Sequence, residues 1–317
     1  MLNRRHLRVK VLQVLYAFFQ TANDDLASGE KELILNIKKT FELYLYQLLL
    51  IGELGYIAER FFDERKSNNL RQTEDDTAGL KFPENRLIKL IRTSESLNKA
   101  CKDKNISWSN DYDLLRKIFL HIRRSEMYRD YVNKGSHTFE DEKKFVLNIF
   151  KTLICDFELL HYFYEERCIY WIDDWELVYR CVVKTIKEAK EGDKDIKLMS
   201  VFKENSDESF TRELFNKTVL NSKEFDPMIA EKAKNWDIER IAIIDIILIK
   251  MALTELVKFP EIPVKVTLNE YIEISKMYST QKSKIFINGV LDKLAIDLEK
   301  EGKIKKSGTG LISKTYS

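Results

Sequence analysis

Glycine and proline are scarce in this chain, at 10 and 4 of 317 residues, about a third of the usual share. β-Sandwiches and barrels need turn residues every ~8–12 positions, and phosphate-cradling loops need clustered glycines. The scarcity therefore points to helices, whose interiors disfavour both residues. Hydrophobic residues reach 44% and charged residues 33%, which describes a core-forming chain rather than a disordered one. The length suits about two domains. No apolar run approaches the ~18 residues of a membrane span. Arg4 and Arg5 follow Met1 closely, with no apolar leader and cleavage site. A cytoplasmic, all-α protein with no membrane partner is expected.

Apolar spacing supplies the helices. Leu7, Val11, Val14, Leu15 and Phe18 share one helical face, predicting a helix over 5–20. A long helix over about 28–65 follows, with Gly52 and Gly55 either kinking it or admitting a close neighbour. Residues 66–79 read as a polar loop, Pro83 as part of a first helical turn, and 112–131 as helix. Thr138 with Asp141 forms an imperfect capping box for a helix reaching about 167, and Asp173 with Glu176 opens another.

In the last third, Asp226–Pro227 reads as an N-cap with proline at the first position, and Asp237 as the next cap. Residues 241–249 are apolar at every position but Asp245, the pattern of a helix at the centre of a bundle. Pro260 and Pro263 stop that helix, and Thr267 with Glu270 reads as a capping box for 268–278. A final helix spans about 282–300, and 302–317 reads as a frayed basic tail. The expected organisation is an N-terminal helical region with an expansion (1–207), a C-terminal bundle (208–301) and a flexible basic tail (302–317).

Composition narrows function by exclusion. Cys101, Cys155, Cys168 and Cys181 form no CxxC pair, and the four histidines show no ligand spacing. Free thiols, no metal and no cofactor are expected. No Walker, GxSxG or HExxH motif occurs, so no enzyme class is indicated. The net charge of +2 confines any nucleic-acid role to a local patch.

Four constellations remain. Arg4, Arg5 and Arg8 stack near a helix start, where guanidinium forks and the helix dipole suit RNA phosphates; an ordinary solvated terminus reads equally well. Leu12, Tyr16 and Phe19 give the same helix a second apolar stripe, by burial or for a partner. Asp245 needs a partner for its carboxylate, on the first helix or on a basic protein. Lys282, Lys284 and Phe286, with Tyr278, mix basic and aromatic side chains as single-stranded RNA sites do, although Phe286 also fits the core stripe with Val290.

The run RRHLRVKVLQVLY (4–16) and the C-terminal runs WDIERIAIIDIILIKMALTEL (236–256), IPVKVTLNEYIEISKMY (262–278) and FINGVLDKL (286–294) resemble the bacterial transcription antitermination factors of the NusB family. The likeness covers about 208–301 and 3–20. The chain departs from the family in length, through a helical expansion over about 22–207. The resemblance implies a NusB-like all-helical bundle of two packed subdomains without catalysis. It implies binding of boxA-type RNA together with NusE, the small-subunit ribosomal protein, within the RNA polymerase antitermination complex. Arg4, Arg5, Arg8 and Phe286 match the family's RNA-contacting positions, with Lys282 and Lys284 in the same segment. His6 stands where another arginine is common. Tyr16 and Asp245 match positions facing NusE. On this reading, Arg5→Ala with Arg8→Ala weakens RNA binding and leaves the fold intact. Two rivals differ in class: a module of an RNA methyltransferase, for which the 16 residues after the last helix are too few, and a protein-binding scaffold that has lost RNA binding.

Overall fold

The computed structural model describes residues 1–21, 24–67, 78–234 and 241–315. The protein is all-α. Its helices are α1 (Arg4–Gln20), α2 (Leu26–Ser67), α3 (Lys81–Glu84), α4 (Arg86–Thr93), α5 (Glu95–Asp103), α6 (Tyr112–Arg124), α7 (Glu126–Asn133), α8 (Phe139–Ile149), α9 (Glu158–Arg167), α10 (Trp175–Glu188), α11 (Ser206–Ala233), α12 (Ile243–Lys258), α13 (Val264–Tyr278) and α14 (Gln281–Lys300). The β-pairing among the described residues is one isolated bridge, Leu2 to Phe202. Two compact units emerge, one of Met1–Ile37 with Val201–Ser317, the other of Lys38–Ser200. The boundary falls within α2 and again just before α11.

In the first unit α12 is the central helix, packed against α1, α11, α13 and α14. Every residue from Ile247 to Leu256 is buried, as an apolar pattern without a polar face requires. Each fully buried large aliphatic side chain there contributes about 1.5–3 kcal/mol. The proposed Asp237 cap lies outside the described residues.

Two local expectations are corrected here. Asp226–Pro227 does not start a helix: α11 runs through it to Ala233. An interior proline costs a helix roughly 3 kcal/mol. Against that stands one buried face, from Phe210 and Leu214 through Phe225 and Ile229. Lys250 also clamps Ser222 and Asp226, each at 2.7 Å. Residues after α14 are not frayed as far as they are described. The Ser307 N–H donates to the Pro260 carbonyl at 2.9 Å. Lys306 donates to the carbonyls of Glu255 and Phe259 at 3.2 and 2.9 Å. Its ammonium thus sits on the negative end of α12, and burial holds its pKa below the usual lysine value.

In the second unit α2 continues unbroken past both glycines. A Cβ on Gly52 would lie 3.2 Å from the Arg92 Cα, and one on Gly55 only 2.5 Å from the Ile88 Cγ2. The glycines therefore admit α4 rather than kink α2. The segment 112–131 divides at Ser125, whose hydroxyl accepts the Tyr128 N–H at 3.1 Å. The Thr138–Asp141 capping box forms. Its helix, however, ends in a wider turn over Phe150–Ile154, and α9 restarts at Glu158. Most of the expected loop 66–79 lies outside the described residues.

Ile88 is buried, and its Cγ2 occupies the space that a side chain on Gly55 would need. Gly55→Val is therefore expected to destabilise the protein by about 1–3 kcal/mol, read from urea unfolding. An unchanged midpoint would mean that α2 and α4 are not closely packed.

Candidate functional site

The arginine end of α1 begins with a reciprocal cap. Asn3 accepts the His6 N–H at 3.0 Å, and the His6 Nδ1 accepts the Asn3 N–H at 3.3 Å. His6 thus serves as a cap in place of the acid that usually closes such a box.

Beyond the cap the basic residues separate by depth. Arg8 is 2% exposed, and its Nε and Nη2 donate to the two carboxylate oxygens of Glu255, both at 2.8 Å. Glu255 is fully buried and takes two more donors, the Thr267 hydroxyl at 2.8 Å and the Tyr271 hydroxyl at 3.3 Å. All four lone-pair sites of the carboxylate are thereby used. Burial alone would lower the Arg8 pKa, but the charge and hydrogen bonds of Glu255 raise it above the ordinary arginine value. Burial pushes the Tyr271 hydroxyl well above the usual tyrosine value. Lys10 is buried too, its Nζ 2.7 Å from the Asn36 side-chain oxygen.

Arg8 is therefore interior, a correction to the surface edge that helical spacing suggests. Its burial sets a loss of stability, in place of an intact fold, as the expected result of its removal. Thr267 and Glu270 do not cap α13, which starts earlier, at Val264; both face the arginines instead.

Arg4 and Arg5 remain half-exposed. Arg5 grips Glu270 through Nε and Nη2 at 2.8 and 2.7 Å. This side-on grip leaves the outer Nη1 edge of the guanidinium directed away from the pair. Hydrogen bonding from Arg5 holds the Glu270 carboxyl below its ordinary value of 4.5. Arg4 lies 3.4 Å from Asp207 and packs its guanidinium 4.9 Å from the centre of the Phe210 ring. With Pro263, Val266 and Glu270 these arginines line an open depression of about 530 Å³.

A second basic cluster sits where α13 turns into α14. Lys276, Ser279, Thr280 and Lys284 line a depression of about 210 Å³. Lys276 pairs with Glu273. That carboxyl is held below its usual range by Lys276 first, with Arg5 and Lys284 also acting on it. Both clusters thus act on the one carboxylate of Glu273. Lys282 and Lys284 are exposed and form no ion pair among the described residues. Phe286 is 4% exposed and belongs to the core of α14, so it does not present a stacking face.

On the other stripe of α1, Leu12 is buried, Tyr16 is 42% exposed, and Phe19 lies under the Lys250 ammonium at 5.3 Å. Asp245 is buried and accepts the Ser279 hydroxyl at 2.5 Å. Its partner is thus a hydroxyl of the α13–α14 turn. Glu255, Thr267 and Tyr271, which support the arginines, are not marked by helical spacing. A second acid inside the apolar stretch of α12 was the available signal.

Among the described residues no group of histidine, cysteine and carboxylate side chains is placed to hold a metal. The described arrangement offers guanidinium and ammonium donors to an anion.

The model of the NusB family matches residues 175–295, opening at the start of α10. A transcription antitermination protein NusB from Salinibacter ruber is 43% identical over 138 residues, 41% of this chain and 86% of that protein. The protein of the same name from Chloroherpeton thalassium is 41% identical over 103 residues, 32% of this chain and 49% of its own length. That from Geotalea daltonii is 43% identical over 90 residues, 28% of this chain and 62% of its own. No solved structure matches the chain.

Breaking the buried pair from one side strands a charge in the interior. Arg8→Ala is expected to cost about 3–5 kcal/mol, and Arg8→Ala with Glu255→Leu to recover much of that loss. Equal midpoints for wild type and Arg8→Ala in urea would refute the structural role. The Glu270 carboxyl has a lowered pKa in the fold, so its stabilisation is complete above about pH 4.5 and is lost as pH falls through the folded value. Glu270→Gln should flatten the acid limb of the stability profile below about pH 4.5. A profile parallel to wild type would contradict this.

Proposed function

Because the chain belongs to the NusB family, we propose that it is a non-catalytic transcription antitermination factor. In this reading it binds boxA-type RNA together with NusE, within the RNA polymerase complex on ribosomal RNA operons. That work takes place in the bacterial cytoplasm. The observation that carries the RNA reading is the pairing of two basic clusters in one unit. The half-exposed guanidinium groups of Arg4 and Arg5 lie at the start of α1, and the exposed side chains of Lys282 and Lys284 at the start of α14. Guanidinium edges and lysines neutralise phosphates, and such binding weakens as salt rises.

Within this proposal the residues take different roles. Arg4, Arg5, Lys282 and Lys284 contact RNA. Arg8 and Phe286, matched to RNA-contacting positions by resemblance, act from beneath by fixing α1 and α14. Tyr16 offers its exposed ring to NusE, while Asp245 acts from beneath by holding the α13–α14 turn. The rival reading, a scaffold that has lost RNA binding, draws on the carboxylates already paired with Arg4 and Arg5.

A salt-titrated anisotropy assay with boxA-type RNA, with and without NusE, separates the two. Arg5→Ala and Lys284→Ala should each weaken RNA binding several-fold and reduce the salt slope by about one. Affinity indifferent to both substitutions would favour the scaffold. Tyr16→Ala should weaken NusE binding with RNA affinity in the absence of NusE unchanged; undiminished NusE affinity would move the partner surface elsewhere.

A further inference from the structure

The second unit carries a surface that the proposed role does not use. Between α6 and α9 lies an open groove of about 630 Å³, with Leu114 on one helix and Leu159, Tyr162 and Phe163 on the other. Leu159 and Tyr162 are 44% and 52% exposed. They share a helical face with Phe163 at i, i+3 and i+4. Phe163 stacks on Trp108 at 4.8 Å, and the Trp108 indole N–H donates to the Tyr46 carbonyl at 3.1 Å. The apolar floor is thus fixed in place before anything binds, which lowers the ordering cost of association.

The charged side chains on the groove's lining are mostly acidic, with Asp111, Asp113 and Glu166 against Lys117. On α9 the carboxylates Glu158, Glu165 and Glu166 accompany Arg167. Arg167 is itself held by Asp111 at 3.3 Å and lies 5.0 Å from the centre of the Phe163 ring. Asp113 and Glu166 stand exposed on the groove's lining, with Lys117 the one ammonium among the residues that form it. A phosphate backbone is repelled there. A cationic chain with one apolar face meets both requirements, since its aliphatic side chains cover Leu159, Tyr162 and Phe163 while its ammonium groups reach the rim.

We propose that the groove between α6 and α9 docks a lysine- or arginine-rich amphipathic segment of a protein partner. The Leu159–Tyr162–Phe163 face supplies contact area, and Asp113 and Glu166 supply charge selection. The inference stands independently of RNA binding by the first unit.

The test uses the full-length chain and a fluorescein-labelled 18-residue peptide of lysine and leucine at amphipathic helical spacing. Wild type should bind it. Glu166→Lys should weaken binding about tenfold and Tyr162→Ala several-fold, with thermal unfolding matched to wild type. Glu176→Lys makes the same charge change off the groove and should leave affinity within about twofold. A peptide of the same composition in scrambled order should bind at least fivefold more weakly. The proposal is overturned by equal binding of the two peptides, by an equal effect of Glu166→Lys and Glu176→Lys, or by displacement of the peptide with single-stranded RNA. Sedimentation showing a dimer that Tyr162→Ala dissolves would assign the groove to a second copy of the chain and overturn it as well.

Discussion

The pair between Arg8 and Glu255 sets the geometry of the first unit. Removing two such charges from water costs several kcal/mol each, and an ion pair alone does not reliably repay it. Here the carboxylate receives four donors from α1 and α13, so the buried acid is fully hydrogen-bonded. The donors come from residues far apart in sequence, and each accepts one angular placement of its helix. Turning α1 by a single residue would move Arg8 about 100° around the axis and strand Glu255. The pair therefore fixes which faces of α1 look outward: Arg4 and Arg5 at its beginning, Tyr16 three turns on.

Helical class, most helix positions and the central place of α12 were legible because they follow from side-chain period and from the shortage of glycine and proline. The errors share another cause. Thr267 and Glu270 have the spacing of a capping box, and Asp226–Pro227 has the composition of a helix start, yet neither acts locally. Thr267 serves Glu255, Glu270 serves Arg5, and Asp226 serves Lys250. A local motif can be read from spacing only while its side chains have no stronger partner elsewhere. Gly52 and Gly55 show the same limit: sequence offers a kink or a close neighbour, and only the approach of α4 decides between them.

The candidate site was legible in part for a related reason. Four basic residues in the first ten read as one surface patch, but depth divides them. Arg8 and Lys10 turn inward to buried partners, while Arg4 and Arg5 stay half in solvent beside acids. Sequence shows the charge of a side chain and the face of the helix it shares. It does not show whether a carboxylate from a distant helix is waiting there. Phe286 divides the same way, since the stripe it forms with Val290 and Leu294 is the side of α14 that the core takes.

The side-on grip of Glu270 on Arg5 also explains how an ion-paired arginine can remain useful. The carboxylate occupies Nε and Nη2, which fixes the plane of the guanidinium and leaves the Nη1 edge outside the pair. A phosphate arriving at that edge meets a group already oriented, so it forgoes some of the entropy loss of ordering a long side chain. It also meets a charge partly neutralised by Glu270, which limits the strength of attraction. Preorganisation and neutralisation pull in opposite directions. With Glu273 and Lys276 repeating the arrangement nearby, the edge combines oriented donors with little excess charge. Such an edge suits modest, salt-sensitive contact with a phosphate chain.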